Sequence, residues 1–429
     1  MKYYLNKMVG LKGGFLASVG TLVFATAIGQ VLVLSITPLL TRLYTPSDFG
    51  VMAVFVAITS MILVVSSGRY EFSIPLPVLE RDARLLLFGS LLINFVFFLT
   101  CFLIVALFSS GISTLVGIDS FSSFAWLIPL TVLFSGAYKA YNYLSVRQQN
   151  YQRIAKTKVI QSFSSVVVQV FGGLISQGPS GLLIGQMLGQ AAGTFQLAKS
   201  TSVYDYAISK VRYLRLLLLL KRYRRFPLYD APAAFIDTLS TQLPNLVLAT
   251  LFGPVVAGSY MLAERALSMP ANLVGQAFGQ VLFGTVNAQK SEGKFYSTTL
   301  RAVMLLGGLA VFPTIIFFFY ASPIFSVVFG DTWTLAGDYA SWMIVGVAFQ
   351  FVYSPLSMTL LATDGQKVNL MIHVVMLTSK MGVLAVGNSL GDPYITIVGF
   401  SIVSAVGYFI AIFVVLNHVA KNAHVLKRS

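Results

Sequence analysis

KSTSVYDYAISKVRYLRLLLLLKRYRRF (Lys199–Phe226) is a strongly basic passage near the middle of an otherwise apolar chain. Eight lysines and arginines lie between Lys199 and Arg225, and they surround an unbroken run of leucine from Leu216 to Leu220. One reading makes this an amphipathic helix in the membrane interface, leucines down and cations against acidic headgroups. The other makes it a basic cytoplasmic linker that also fixes topology. On either reading it divides the chain into two sets of apolar segments.

The composition on both sides of it points to lipid. Of 429 residues, 56% are hydrophobic and only 10% are charged, far from a soluble domain of any class. Cys101 is the single cysteine, and His373, His418 and His424 are scattered. Neither a disulfide framework nor a Cys/His metal site is available. The opening MKYYLNKMVGLKGG runs into a long apolar stretch, so Lys2, Lys7 and Lys12 read as the cytoplasmic flank of a permanent first span rather than a cleaved signal peptide.

A spanning helix needs about 20 predominantly apolar residues. Twelve such segments are predicted, near 15–40, 50–71, 85–109, 121–144, 158–176, 181–199, 228–251, 255–284, 300–320, 336–361, 368–388 and 393–417. Segment 181–199 is short and glycine-rich, which suits close helix packing. Among the odd-numbered connections Arg42 is the only basic residue. The even-numbered ones hold Arg81 and Arg84; Arg147, Arg153, Lys156 and Lys158; the central cluster; Lys290 and Lys294; and Lys367, with Lys421, Lys427 and Arg428 in the tail. The positive-inside rule then puts both termini in the cytoplasm. The net charge of +15 is thereby read as topology, and no nucleic-acid footprint is left.

The predicted fold is an all-α integral membrane protein: a six-helix lobe (1–199), a basic amphipathic linker (200–227) and a second six-helix lobe (228–429). LYTPSDFG (Leu43–Gly50) and LFGPVVAG (Leu251–Gly258) echo each other, with Tyr44 over Phe252, Pro46 over Pro254 and Gly50 over Gly258. Each occupies the outer turn between the first two spans of its lobe. Equal orientation implies a pseudo-twofold axis along the membrane normal and a central cleft suited to alternating access. In the first turn Thr45 can cap the next helix, Pro46 suits its first position, and Asp48 completes a short-acid capping box. Pro254 keeps the proline, but Asp48 has no acidic counterpart there.

Ionisable residues inside spans are costly and mark candidate sites. Arg265 follows Glu264 near mid-depth of the eighth span, and Lys380 is deep in the eleventh. Lys139 is late in the fourth span, Arg69 and Glu71 end the second, and Asp230 and Asp237 open the seventh. The pattern is that of a cationic cleft for an anionic substrate, since arginine grips phosphate oxygens in a bidentate fork. The competing reading has Glu264 or Asp237 simply neutralise a nearby cation, or lets Arg69 and Lys139 snorkel to the interface. Asp237 and Glu264 are candidates for coupling to an H+ or Na+ gradient. Asn272, Gln276 and Gln280 share a face of the eighth helix, where they can bind sugar or hold helices together.

LTRLYTPSDFGVMAVFVAITSMI (Leu40–Ile62), SSGRYEFSIPLP (Ser66–Pro77) and YNYLSVRQQNYQRIAKTKVIQ (Tyr141–Gln161) resemble polysaccharide-export flippases of the O-antigen translocase type. These belong to the multidrug/oligosaccharidyl-lipid/polysaccharide exporter superfamily. The resemblance implies a bacterial inner-membrane protein that moves undecaprenyl-pyrophosphate-linked oligosaccharide between leaflets, without a cofactor. It also implies membrane phospholipids as partners, together with polymerase and chain-length machinery. Arg69 and Arg265 are carried over as the arginines near the pyrophosphate, with Lys380 and Lys139 beside them. A drug/cation antiporter would favour deep acidic residues, and a glycan polymerase or glycosyltransferase would need a substantial external loop. The predicted external loops are short.

Overall fold

A computed structural model describes residues 26–175, 178–199, 210–289, 295–362 and 365–428. The flank bearing Lys2, Lys7 and Lys12, the start of the linker, and the turn bearing Lys290 and Lys294 lie outside these residues, as do the side chains of Gln276 and Gln280. The described chain is all helix: α1 (Thr26–Leu43), α2 (Pro46–Val65), α3 (Glu80–Val116), α4 (Leu127–Arg147), α5 (Tyr151–Ile175), α6 (Ser180–Ala198), α7 (Lys210–Arg222), α8 (Ala231–Phe252), α9 (Pro254–Gln289), α10 (Phe295–Phe329), α11 (Thr334–Ala362), α12 (Gln366–Leu390) and α13 (Pro393–Arg428). Helices satisfy their backbone polar groups internally, which hydrocarbon demands of any lipid-exposed segment.

A helix lies over each of the twelve predicted segments, and α7 lies in the basic linker. Eight of the helices are long and apolar enough to cross a membrane by length and composition: α1, α2, α3, α5, α10, α11, α12 and α13. The chain is thus a multi-pass, all-α membrane protein. The other four carry the polar residues that lower hydropathy: Lys139 in α4, a glycine series in α6, Asp237, Gln242 and Asn245 in α8, and the Glu264–Arg265 pair in α9.

The turn before α2 is built as its residue types require. Thr45 Oγ1 accepts from the Asp48 amide at 3.3 Å, and Asp48 Oδ2 accepts from the Thr45 amide at 2.9 Å, closing a capping box at the start of α2. Pro46 takes the first helical position, where a missing N–H costs nothing. Pro254 likewise opens α9, behind Gly253 in the left-handed region at φ +88°. The second predicted span is shorter than its apolar pattern: α2 stops at Val65, and Gly68 and Arg69 both turn left-handed (φ +57° and 61°) before a single 3-10 turn, Tyr70–Ser73.

Contacts divide the chain into two compact units between Thr250 and Leu251. In the first, α7 lies against α3. Leu216 and Leu219 are buried, and Leu219 joins a core made by Ile74, Leu86, Leu87, Ala140 and Leu144. Arg215 clamps the helix to α3 through two bonds to Asp82, Nε to Oδ1 at 2.6 Å and a terminal amine to Oδ2 at 3.0 Å. Those hydrogen bonds, and then the carboxylate charge, push the Arg215 guanidinium further above its ordinary value. Leu214, Leu217 and Leu218 remain exposed on the other side. In the second unit α11 is central, packing on α9, α10 and α13, with Leu306, Leu356, Leu360, Val415 and Val419 in its core.

The α5–α6 pair shows why the short, glycine-rich sixth predicted span is helical and well packed. Gly181, Gly185, Gly189 and Gly193 recur every four residues along α6 and face α5. A Cβ at Gly189 would stand 2.8 Å from the Gln161 carbonyl, and one at Gly181 would stand 2.9 Å from the Gly172 Cα. The Tyr44 hydroxyl closes the same crossing by donating to the Gln169 carbonyl at 2.6 Å. Gln161 donates across it to Gln190 at 3.1 Å. Small residues and interhelical hydrogen bonds supply the attraction that lipid does not. Gly189→Ala is expected to destabilise the solubilised protein by about 1–3 kcal/mol, as overpacking does. Gly382→Ala, where nothing lies within 4 Å, is expected to be neutral or stabilising in the same thermal-unfolding assay.

Candidate functional site

The sequence-predicted residues fall into two groups, one within each unit. The first group gathers where α2 ends. Arg69, held in the left-handed region, donates from Nε to Asp230 Oδ2 at 2.7 Å and stacks over the Phe72 ring at 4.2 Å. A non-glycine residue in that conformation costs about 1–2 kcal/mol. Here the ion pair and the stacking fix it. Asp230 closes a π-helical turn, Phe226–Asp230, directly before α8. Glu71 is fully buried; its Oε2 accepts from the Ser67 hydroxyl, while its Oε1 has no hydrogen-bond partner among the described residues.

Lys139, from α4, lies within electrostatic range of Glu71, Arg69 and Lys158. Lys158, from α5, reaches over the Tyr138 ring at 5.0 Å, and Tyr138 in turn shares a 3.1 Å hydrogen bond with Thr157. Three cations and two carboxylates therefore share a half-buried region with one carboxylate oxygen unused. Asp237, predicted as a coupling residue, is exposed on α8 and belongs to neither charge group.

The second group is on α9 and α12. Arg265 sits roughly 16 Å along α9 from Pro254, at ~1.5 Å per residue, which is near the middle of a ~30 Å hydrocarbon layer. Its Nε is buried and has no hydrogen-bond partner among the described residues. Lys380 and Tyr260 are both within electrostatic range of Glu264, so that carboxylate belongs to its own cluster with the lysine. Asn272 is exposed two turns beyond Arg265, on the same side of the helix, and the register places position 276 there too. Many of the other polar residues in spans hold helices together: Asn94 donates to the Leu133 carbonyl at 2.9 Å, and Thr194 donates to that of Phe134 at 2.8 Å.

One contact was not legible in the sequence. Arg147 donates to the carbonyls of Pro75 at 3.0 Å, of Pro77, and of Val78 at 3.1 Å, and its Nε donates to Glu80 Oε2 at 3.1 Å. It thereby ties YNYLSVRQQNY to SSGRYEFSIPLP, and the Phe72 and Tyr143 rings, 4.6 Å apart, join them again. The signal available was indirect: these two passages, far apart in sequence, both carry the family resemblance.

A family profile described as "Polysaccharide biosynthesis protein" matches residues 39–337, well over half of the chain. The chain belongs to that family. It is 25% identical to the succinoglycan biosynthesis transport protein ExoT of Rhizobium meliloti (strain 1021) over 394 residues, covering 88% of this chain and 75% of that protein. It is 21% identical to the lipopolysaccharide biosynthesis protein WzxC of Escherichia coli (strain K12) over 201 residues, 47% of this chain and 41% of that one. Among solved structures, the fold is similar to the lipid II flippase MurJ in an inward closed conformation, with a TM-score of 0.74 at 13% identity, covering 94% of this chain and 90% of that one. It is also similar to an inward-facing multidrug transporter of the MATE family and MOP superfamily, with a TM-score of 0.67 at 12% identity over 94% and 96% of the two chains. The chain is thus a multi-pass membrane protein of the polysaccharide biosynthesis family, and its fold is that of these two transporters.

The clamp at Arg147 gives the first group its own test. Arg147→Ala is expected to lower stability by about 1.5–3 kcal/mol, the range for hydrogen bonds to charged groups. Arg147→Lys is expected to recover little, because a point charge cannot serve three carbonyls and a carboxylate at once. Thermal unfolding in detergent measures both, and full recovery by lysine would refute the clamp.

Proposed function

We propose that the protein is a flippase that carries undecaprenyl-pyrophosphate-linked oligosaccharide, an O-antigen or related repeat unit, from the cytoplasmic to the periplasmic leaflet of the inner membrane. The observation that carries this reading is Arg265, a cation near mid-depth whose Nε is buried and unpartnered. A guanidinium kept there with an unused donor suits a transient anion, and pyrophosphate offers acceptors in the geometry of its fork. Lys380 adds a second cation within the same unit, Arg69 and Lys139 form a separate cationic group in the other unit, and Asn272 and Gln276 offer hydrogen bonds to sugar. The names of the succinoglycan and lipopolysaccharide relatives support the substrate class.

On this reading twelve spans form two six-helix lobes, 1–199 and 228–429, which alternate access about the linker 200–227 with both termini cytoplasmic. An H+ or Na+ gradient drives the cycle through Glu264 or Asp237. The partners are the lipid-linked oligosaccharide, the surrounding phospholipid, and polymerase and chain-length machinery that takes the delivered unit.

The test is leaflet transfer of candidate lipid-linked oligosaccharides by the reconstituted protein, with and without an imposed ion gradient. Arg265→Ala is expected to insert normally and to slow transfer by ~10- to 100-fold, the equivalent of one or two charge-assisted hydrogen bonds. Undiminished transfer would remove Arg265 from the mechanism. Lys380→Glu is expected to be worse than Lys380→Gln, because phosphate then meets a like charge. Equal effects would assign Lys380 to packing with Glu264 instead.

A further inference from the structure

α9 has two unlike sides. Arg265 and Asn272 lie on one, and on the other Pro270 and Val274 form a wall of a cavity of about 410 Å3. Leu309 and Pro313 of α10 form the facing wall, and Ile344 of α11, which is buried, lies at its floor. The cavity exists because α9 and α10 each pack along α11 but hardly touch each other. Each carries an internal proline at the splay, Pro270 and Pro313, and proline within a helix bends it.

The lining is overwhelmingly apolar. Thr314 is its one polar side chain, and that hydroxyl is already used, donating to the Ala310 carbonyl at 2.7 Å. Pro270, Val274, Leu309 and Pro313 are exposed and form the lips. Beside them the exposed side chains of α10 from Met304 to Phe319 are apolar, among them Leu305, Val311, Phe312 and Ile315. The mouth therefore opens toward lipid.

Water does not fill an apolar cavity. Left empty, the lining would forgo dispersion contacts, at a cost that grows with volume. The volume lies within the ~300–1,000 Å3 typical of small-molecule sites. We propose that this groove binds one acyl chain of a membrane phospholipid, seated between α9 and α10 from the surrounding bilayer. Its place behind Arg265 favours bulk phospholipid over the transported carrier, whose anionic head is drawn to the other side of α9. The chain packs against both prolines and props the splay open. The choice of phospholipid over carrier rests on the transport reading, whereas the groove and its apolar lining do not.

The full chain is reconstituted in phosphatidylethanolamine/phosphatidylglycerol vesicles in which a graded fraction of the phospholipid is dibrominated at mid-chain. Bromine quenches tryptophan on contact, and the native chain, with Trp126, Trp333 and Trp342, supplies the baseline. Phe317→Trp places a reporter in the lining, and Phe319→Trp places one on the open face. The groove reporter is expected to lose fluorescence in proportion to the first power of the brominated fraction, as contact with one chain requires. The open-face reporter, with several exchanging neighbours, is expected to fall more steeply. Adding Ala271→Phe, or the milder Ala348→Leu, is expected to abolish quenching at the groove alone. No quenching of the groove reporter, quenching that survives both fillings, or relief by added polyisoprenyl phosphate would each overturn the proposal, the last by naming a different occupant.

Discussion

A charge in hydrocarbon must be paired, hydrated through a cavity or kept for a ligand, and that constraint organises this molecule from its loops inward. In the sequence it gathers most lysine and arginine in alternate connections between the predicted segments. It also keeps ionisable residues within the apolar helices few. In the first unit Arg69 is bonded to Asp230, while Glu71, with one oxygen unused, lies within range of Lys139. In the second, Lys380 lies within range of Glu264 while the Arg265 Nε is left without a bond.

The same medium explains how the helices adhere. Lipid tails are as apolar as leucine, so burying leucine gains little, and association rests on close packing and hydrogen bonds. The glycine series of α6 meets that need against α5, with Gln161, Gln169 and Tyr44 bonding across or beside the crossing. What lowers the hydropathy of α6 is therefore what packs it. α9 is a comparable case: Glu264 and Arg265 depress its apolar character, and they sit on a helix of 36 residues anchored along α11.

Much of the helix placement was legible, because apolar runs punctuated by basic or turn-forming residues leave few alternatives in lipid. The start of α2 could be read down to the atoms, since Thr45, Pro46 and Asp48 interact only with near neighbours. Its end could not: the apolar pattern continues past Val65, and the left-handed turn at Gly68–Arg69 depends on a partner, Asp230, 161 residues away. Arg265 and Lys380 stood out because a lone charge among apolar residues is visible without any structure. Arg147 did not, because a cation beside a cytoplasmic loop looks like topology until its three carbonyl partners are seen.

The two arginines carried over from the resemblance are not equivalent. An anion approaching Arg69 must compete with Asp230, whose side chain is 45% exposed and whose bond is correspondingly screened and exchangeable. An anion reaching Arg265 displaces no carboxylate from its Nε. On the proposed reading, in which a pyrophosphate is both taken up and released, such a difference is useful. Uniformly tight binding at every position would hold the substrate rather than move it. On that reading a site with an unused donor would take up an anion readily, and one with a resident carboxylate would return to its ion pair once the anion had left. The direction of travel would then be set by which group the chain exposes first, not by the strength of either.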